Sequence, residues 1–352
     1  MPTDSLDSLY TKVAKKVLVE TLQVKKGESV TVETWDNGVP FARRAVAEAR
    51  AMGCTAVTIY EDEAAYVEGV RRAPADVVGS MGRNEYGILS GTDAYIFIPG
   101  QAIGPYSKTL KPEEKAQSTR YNSSWYGAAE KSGLRGARLS FGYVGEDTAR
   151  LLGRKIDEVV RAQLKAALVD LRKISGSAER ISPLLTNGAG AELTSEKATL
   201  TFTLKGDFGI EDGVVDESDK KSGNNMTYVP PGFVSKEVDP GSANGNVVLT
   251  DTLTEHGVIP RIKLEFKNGK VESWESPSRT VVRRMLESVS PDQRQLKLML
   301  IGLNPEMPYG MGQDRFVEGS ITLGGFGFRG LVKNGSLKAS GRAAVVRGKL
   351  TP

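Results

Sequence analysis

The sequence predicts an α/β N-terminal domain with an open, mainly parallel sheet, followed by a β-rich α+β C-terminal domain. Two patterns carry this. Up to about residue 175, short β-branched runs alternate with segments of helical periodicity, as in a parallel sheet covered on both faces. Beyond that point apolar and polar residues alternate and turn signals multiply, as in antiparallel strands. Length agrees, because 352 residues suggest about two domains at roughly 150 residues each. The expected division is 1–175 and 176–352.

Leu6, Leu9, Tyr10, Val13 and Val17 recur at helical spacing. A turn around Gly27 leads into a strand over 30–34. Pro40 stands at a helix start, Phe41, Ala45, Val46 and Ala49 continue it, and Gly53 ends it. A strand over 56–60, a helix over 63–72, a segment at 85–89 and a strand over 94–98 follow. A further strand is expected over 137–144. One long amphipathic helix is expected over 147–174, carrying Leu151, Ile156, Val159, Val160, Leu164, Leu168 and Leu171.

In the second half, 198–204, 246–250, 262–266 and 271–274 alternate as strands. Lys267-Asn268-Gly269-Lys270 is a hairpin turn. A helix over 278–289 interrupts the strands, and glycine is dense from Gly302 to Gly341.

Composition excludes several function classes. Hydrophobic residues make up 39% and charged residues 26%, which fits neither a disordered chain nor a multispan membrane protein. The 47 basic and 43 acidic residues leave a net charge of +4 with no basic run, so nucleic acid is not the expected partner. The lone cysteine, Cys54, excludes an intrachain disulfide and reads as a small buried hydrophobe. The lone histidine, His256, excludes metal centres needing two histidines and reads as a turn residue. The polar, acidic start lacks the pattern of a signal peptide, and no apolar stretch reaches the ~18–20 residues of a membrane span. A cytoplasmic protein that does not bind membranes is expected.

Candidate sites are few. No Walker motif is present, and no GxGxxG follows a strand. The glycines of 319–327 read as turns between strands. The strand ends Trp35-Asp36-Asn37-Gly38, Glu61-Asp62 and Pro99-Gly100-Gln101 lie where ligands bind in open α/β sheets. The acidic stretch 207–225 lacks EF-hand spacing and reads as a solvated loop.

The order of several short motifs resembles the thermophilic metallo-aminopeptidases, the aminopeptidase T and leucyl aminopeptidase-like family. They are Asn225-Met226 with Pro230-Pro231-Gly232-Phe233-Val234, Gly245-Asn246-Val247-Val248, and Phe266-Lys267-Asn268-Gly269-Lys270-Val271. Gly302-Leu303-Asn304-Pro305, Glu318-Gly319-Ser320-Ile321 and Asn334-Gly335-Ser336 follow in sequence. The resemblance implies a homodimer and two metal ions held by Glu, Glu, His, Tyr, His and Asp ligands in the C-terminal domain.

Read onto this chain, the ligand positions are replaced. The first Glu falls on Phe233, the second near Leu298, and the first His at about Thr322. The Tyr falls near Phe328 or Arg329, and the last His and Asp on 338–341, which begins at Lys338. Asn225 and Asn304 mark the flanking motifs. The iron dioxygenases of similar fold also depend on histidines that are missing here. The resemblance therefore implies a divergent member without metal cofactor or dinuclear peptidase activity, serving in binding, assembly or metal-free chemistry. A hydrolase with relocated ligands and a scaffold oligomer are the alternatives. Arg329, Lys338 and Arg342 would replace the metal charge if the former site binds a small anion or a peptide.

Overall fold

The computed structural model describes residues 4–254 and 257–351, with Ser107 described by its backbone only. The first half alternates as expected. Helix α1 (Leu6–Lys16) starts where the Ser5 hydroxyl accepts from the Ser8 amide at 3.1 Å. Strand β1 (Ser29–Trp35) leads to α2 (Val39–Ala51), and Gly53 ends that helix with φ +82°. β2 (Thr55–Glu61) is followed by α3 (Glu63–Arg72), capped by the Asp62 carboxylate on the Ala65 amide at 2.7 Å. After α4 (Ala75–Val78), α5 (Arg83–Ser90) and β3 (Ala94–Ile98) comes α6 (Pro112–Ser132), a helix with no counterpart in the sequence reading. Its outer surface is polar, and Ala129 is its one buried residue.

Two expectations are corrected. The strand over 137–144 is β4 (Arg135–Leu139), and the chain then coils tightly over Ser140–Tyr143. Gly142 allows this, because a Cβ there would lie 2.5 Å from the Pro99 carbonyl oxygen. The helix over 147–174 is three helices: α7 (Glu146–Leu151), α8 (Ile156–Ala167) and α9 (Leu171–Ile181). Gly153, at φ +65°, breaks the first junction. Asp170 restarts the third helix by accepting from the Arg172 amide at 3.1 Å.

β5 (Gly190–Ser195) and β6 (Ala198–Glu211) follow. The acidic stretch read as a solvated loop is also structured. Its first residues extend β6, and Asp216 caps the short α10 (Glu217–Lys221) through the Ser218 and Asp219 amides. The next strand, β7 (Met226–Val229), joins β4 in the first sheet. That sheet is wholly parallel, in the order β2-β1-β3-β4-β7. One face carries the buried Val30, Val32, Ile96 and Ala137, and α2, with its small buried side chains Ala42, Ala45 and Ala49, packs on β1 and β2. The other packs Tyr95 with Leu89 of α5, Ala129 of α6 and Leu134.

The chain separates into two compact units, Met1–Leu168 with Gly213–Pro230, and Val169–Asp212 with Pro231–Pro352. The second contains β8 (Phe233–Val238), β9 (Asn244–Thr254), β10 (Gly257–Lys267), β11 (Lys270–Glu275) and α11 (Arg279–Glu287). β12 (Leu298–Gly302), β13 (Ile321–Gly324), β14 (Arg329–Val332), β15 (Ser336–Ala339), β16 (Arg342–Val346) and β17 (Lys349–Leu350) complete it.

Its strands pair antiparallel in the order β11-β10-β9-β14-β13-β12-β8-β6-β5-β15-β16-β17. β9 also pairs with β6 through Leu200↔Gly245, closing a circuit of six strands: β6, β8, β12, β13, β14 and β9. Gly245 sits at that closure with φ +110°, where a Cβ would stand 2.4 Å from the Thr199 carbonyl oxygen. Leu193, Leu200, Ile262, Ile301, Leu323 and Val332 form its core, with Val282 and Leu286 of α11 packed on them. The β10–β11 hairpin turns at Asn268 and Gly269, both at positive φ as such a turn requires. No described helix is long and apolar enough to cross a membrane.

Candidate functional site

The segments that resemble metal ligands are spread through the second unit, with one exception. Asn225 belongs to the first unit, where its buried amide donates to the Leu134 carbonyl at 2.9 Å and positions β7. Phe233 opens β8 opposite Gly302, whereas Leu298 pairs with Glu237 at the far end of the same two strands. Four residues of strand separate Leu298 from Gly302, roughly 13 Å. Thr322 pairs with Leu300, and Arg329 begins β14 as an exposed residue. Lys338 lies on β15 with its amine 3.8 Å from Glu192, and Arg342 is exposed at the β15–β16 turn. β14 and β15 are not neighbours in the sheet, with β9, β6 and β5 between them through the β9–β6 closure. Lys338 and Arg342 thus stand on the paired strands β15 and β16, and Arg329 on a strand that does not pair with either. His256 lies outside the described residues, and Cys54 is buried with its Sγ 3.3 Å from the Lys25 carbonyl.

Phe233 is the informative position. Its ring centroid lies 5.3 Å from that of Phe316, a fully buried side chain. Beside it the loop after β12 is fastened by Asn304. The Asn304 amide donates to the Pro231 carbonyl at 2.8 Å, and its side-chain oxygen accepts from the Glu306 amide at 2.9 Å. Gly232 permits this approach, since a Cβ there would fall 2.8 Å from the Asn304 Cβ.

Further along, Asp314 accepts from the Gly310 and Met311 amides, and burial pushes its carboxyl above the ordinary range. Burial pushes the Tyr309 hydroxyl up to about 12. Lys333 lies 4.8 Å over the Tyr309 ring and 3.5 Å from Asp251. Among the described residues, no three His, Cys, Asp or Glu side chains converge as a metal site requires. Phenylalanine and leucine offer no lone pair to a metal, so the residues at these positions do not fit a dinuclear centre.

In the first unit, the strand-end residues hold the protein's own structure. Asp36 accepts from the Tyr60 hydroxyl and from the Glu63 amide at 3.2 Å. Asp62 caps α3, and Asn37 donates to the Gly142 and Val144 carbonyls. Gly100 packs flat on Trp35, where a Cβ would be 2.5 Å from the indole.

The concave site lies beside these ends, between the sheet and α6. The parallel register sets Glu33, Phe97, Arg138 and Tyr228 side by side on β1, β3, β4 and β7. Residues in register share a face, so Glu33, Phe97 and Arg138 point toward α6 together. With Tyr121, Asn122, Trp125 and Tyr126 of that helix they line a small cleft of about 40 Å³. The strand order reverses direction between β1 and β3, so the cleft stands at the topological switch point, where open α/β sheets bind ligands.

Its electrostatics are two-signed. The Tyr95 hydroxyl donates to Glu33 and the Tyr121 hydroxyl to Glu85. Burial pushes the Glu33 carboxyl up to about 7 against the Tyr95 hydrogen bond, with Glu61 and Glu85 adding to the rise and Arg138 opposing it. Burial also raises the Tyr95 and Tyr121 hydroxyls. The Arg138 guanidinium is sandwiched 5.0 Å from the Phe97 ring centre and 5.7 Å from that of Tyr126. It donates to the Tyr143 hydroxyl at 3.1 Å, and its Nε is buried without a partner. The sequence reading missed this cleft. Tyr121 and Trp125, and Asn122 and Tyr126, recur at four-residue spacing on α6, the one local signal available.

No protein-family model matches the chain, and no curated protein matches it in sequence. Solved structures do match. AmpT from Thermus thermophilus superposes with a TM-score of 0.70 at 14% identity, over 99% of this chain and 100% of that one. The 2,5-dihydroxypyridine dioxygenase of Pseudomonas putida KT2440 superposes with a TM-score of 0.64 at 14% identity, over 99% of this chain and 98% of that one. The fold is AmpT-like. The expected architecture, a parallel α/β domain and a β-rich domain, is thereby established, and at this identity the likeness concerns the fold alone.

Proposed function

We propose that this chain is a divergent relative of the aminopeptidase T proteins that has lost the dinuclear metal centre and peptidase activity and now acts by binding a small molecule. The observation that carries this reading is the Phe233–Phe316 ring pair, at 5.3 Å, in the segment where the family resemblance implies a carboxylate ligand. An aromatic side chain there removes a ligand charge and puts apolar volume in its place. Two divalent ions without surrounding anions repel each other strongly.

The test is hydrolysis of a panel of aminoacyl-p-nitroanilides by the purified chain with added zinc, cobalt or manganese. The expected result is no release above the protein-free rate. Metal-dependent release that a chelator abolishes would overturn the proposal. Self-association as a homodimer belongs to the same reading. Light scattering checks it, and a monomer across the accessible concentrations rules it out.

A further inference from the structure

Strand β2 is an open edge of the first unit's parallel sheet. Among the described residues it pairs with β1 alone, in unbroken register from Thr55 to Glu61. Edge strands are commonly blunted by lysine, proline or a bulge, and β2 has none of these. Its sequence is Thr55-Ala56-Val57-Thr58-Ile59-Tyr60-Glu61, with Val57 56% and Tyr60 53% exposed on opposite faces. A parallel sheet ordinarily hides such residues under helices. The Thr55 amide donates inward to the Glu28 carbonyl at 3.1 Å, whereas the Ala56 carbonyl accepts from the Arg50 guanidinium at 2.9 Å. Backbone groups of alternate residues face opposite ways, so Ala56, Thr58 and Tyr60 present theirs to the open edge.

The two ends of β2 differ in charge. Its start is basic, with the exposed Arg50 and with Lys26, which lies over Gly53. Its end is acidic, with Glu61, Asp62 and Asp36, which accepts from the Tyr60 hydroxyl. Burial raises the Glu61 carboxyl, and the neighbouring charges of Asp62 and Glu85 add to the rise. Among the described residues no cation pairs with Glu61 and no carboxylate with Arg50.

We infer that β2 pairs antiparallel with β2 of a second copy of this chain, about a two-fold axis at Thr58, joining the two parallel sheets into one. Thr58 then meets its own counterpart and Ala56 meets the partner's Tyr60, so the outward backbone groups of both strands are used. The Ala56 carbonyl keeps a second lone pair for this beside Arg50. Val57 lies opposite the partner's Ile59, a β-branched pair. The basic start of each strand meets the acidic end of the other and sets Arg50 beside the partner's Glu61. A parallel pairing would bring like charges together. The inference rests on the self-association proposed above and names its surface.

Sedimentation equilibrium and oxidative cross-linking test it. The chain should be a dimer. Thr58→Lys, at an exposed position, should raise the dimer dissociation constant at least about tenfold, with an unchanged circular dichroism spectrum, because it sets two positive charges face to face. Arg50→Glu should weaken the dimer, and combining it with Glu61→Lys should restore it. Thr58→Cys gives a positive readout that stands even if Thr58→Lys fails to fold. Its counterpart Cα would lie about 5.5 Å away, within disulfide reach, so oxidised glutathione should link two copies. Thr55→Cys, roughly 20 Å from its counterpart, should not link. The native cysteine, Cys54, is buried. A dimer unweakened by Thr58→Lys, or no link through Thr58→Cys, overturns the inference and leaves self-association standing. A chain that is monomeric at every concentration overturns both.

Discussion

The rings of Phe233 and Phe316 meet with centroids 5.3 Å apart and planes inclined by 54°. Phe316 is fully buried, so the pair is a packing element of the second unit. Phe316→Ala should cost about 3–5 kcal/mol, read as a lower urea midpoint. Phe233→Glu should also lower the midpoint, because it sets a carboxylate against an apolar ring. An unchanged midpoint in Phe316→Ala would show that the pair does not hold this segment.

Asn304 fastens the loop after β12 through two hydrogen bonds, to the Pro231 carbonyl and from the Glu306 amide. Asn304→Ala leaves both partners unmatched and should cost about 1–3 kcal/mol. Limited proteolysis should then cut between residues 305 and 315 faster than in the unaltered chain. Equal cutting rates would place the anchor elsewhere.

Glu33 links stability to pH. Its native carboxyl titrates at about 7, against an ordinary value of 4.5. The native state therefore holds more protons than the unfolded state between those values, and stability falls as pH rises through that window. Glu33→Gln carries no titrating group and should flatten this decline, gaining on the unaltered chain most clearly above pH 7. Thermal midpoints from pH 4 to pH 8 check it. Parallel curves for the two proteins would contradict the assignment.

At the β10–β11 turn, Gly269 has φ +80°, and a Cβ there would lie 1.4 Å from the Pro240 carbonyl oxygen. Gly269→Ala should destabilise by more than about 1 kcal/mol, through both the backbone conformation and the clash. A denaturant midpoint equal to that of the unaltered chain would count against the turn geometry.

The strands β1, β2 and β3 were legible because their β-branched runs are short and flanked by turn residues. Asn268-Gly269 announced its hairpin for the same reason. α6 was not, because most of its length faces outward and only Ala129 is buried. β7 was hidden because Met226–Val229 is short and pairs with a strand far earlier in the chain. The breaks at Gly153 and Asp170 were masked by apolar residues that keep helical spacing across both. The cleft was least legible of all. Glu33 and Arg138 are single charged residues in strand alternation, a pattern that reads as a solvated face until the register and α6 enclose them.

The proposed loss of the dinuclear centre is tested most directly by elemental mass spectrometry of the chain purified without chelator. The account predicts no stoichiometric zinc, cobalt, manganese or iron per mole of chain. Two metal ions per chain would contradict it and would show that other residues, beyond Phe233 and Leu298, supply the ligands.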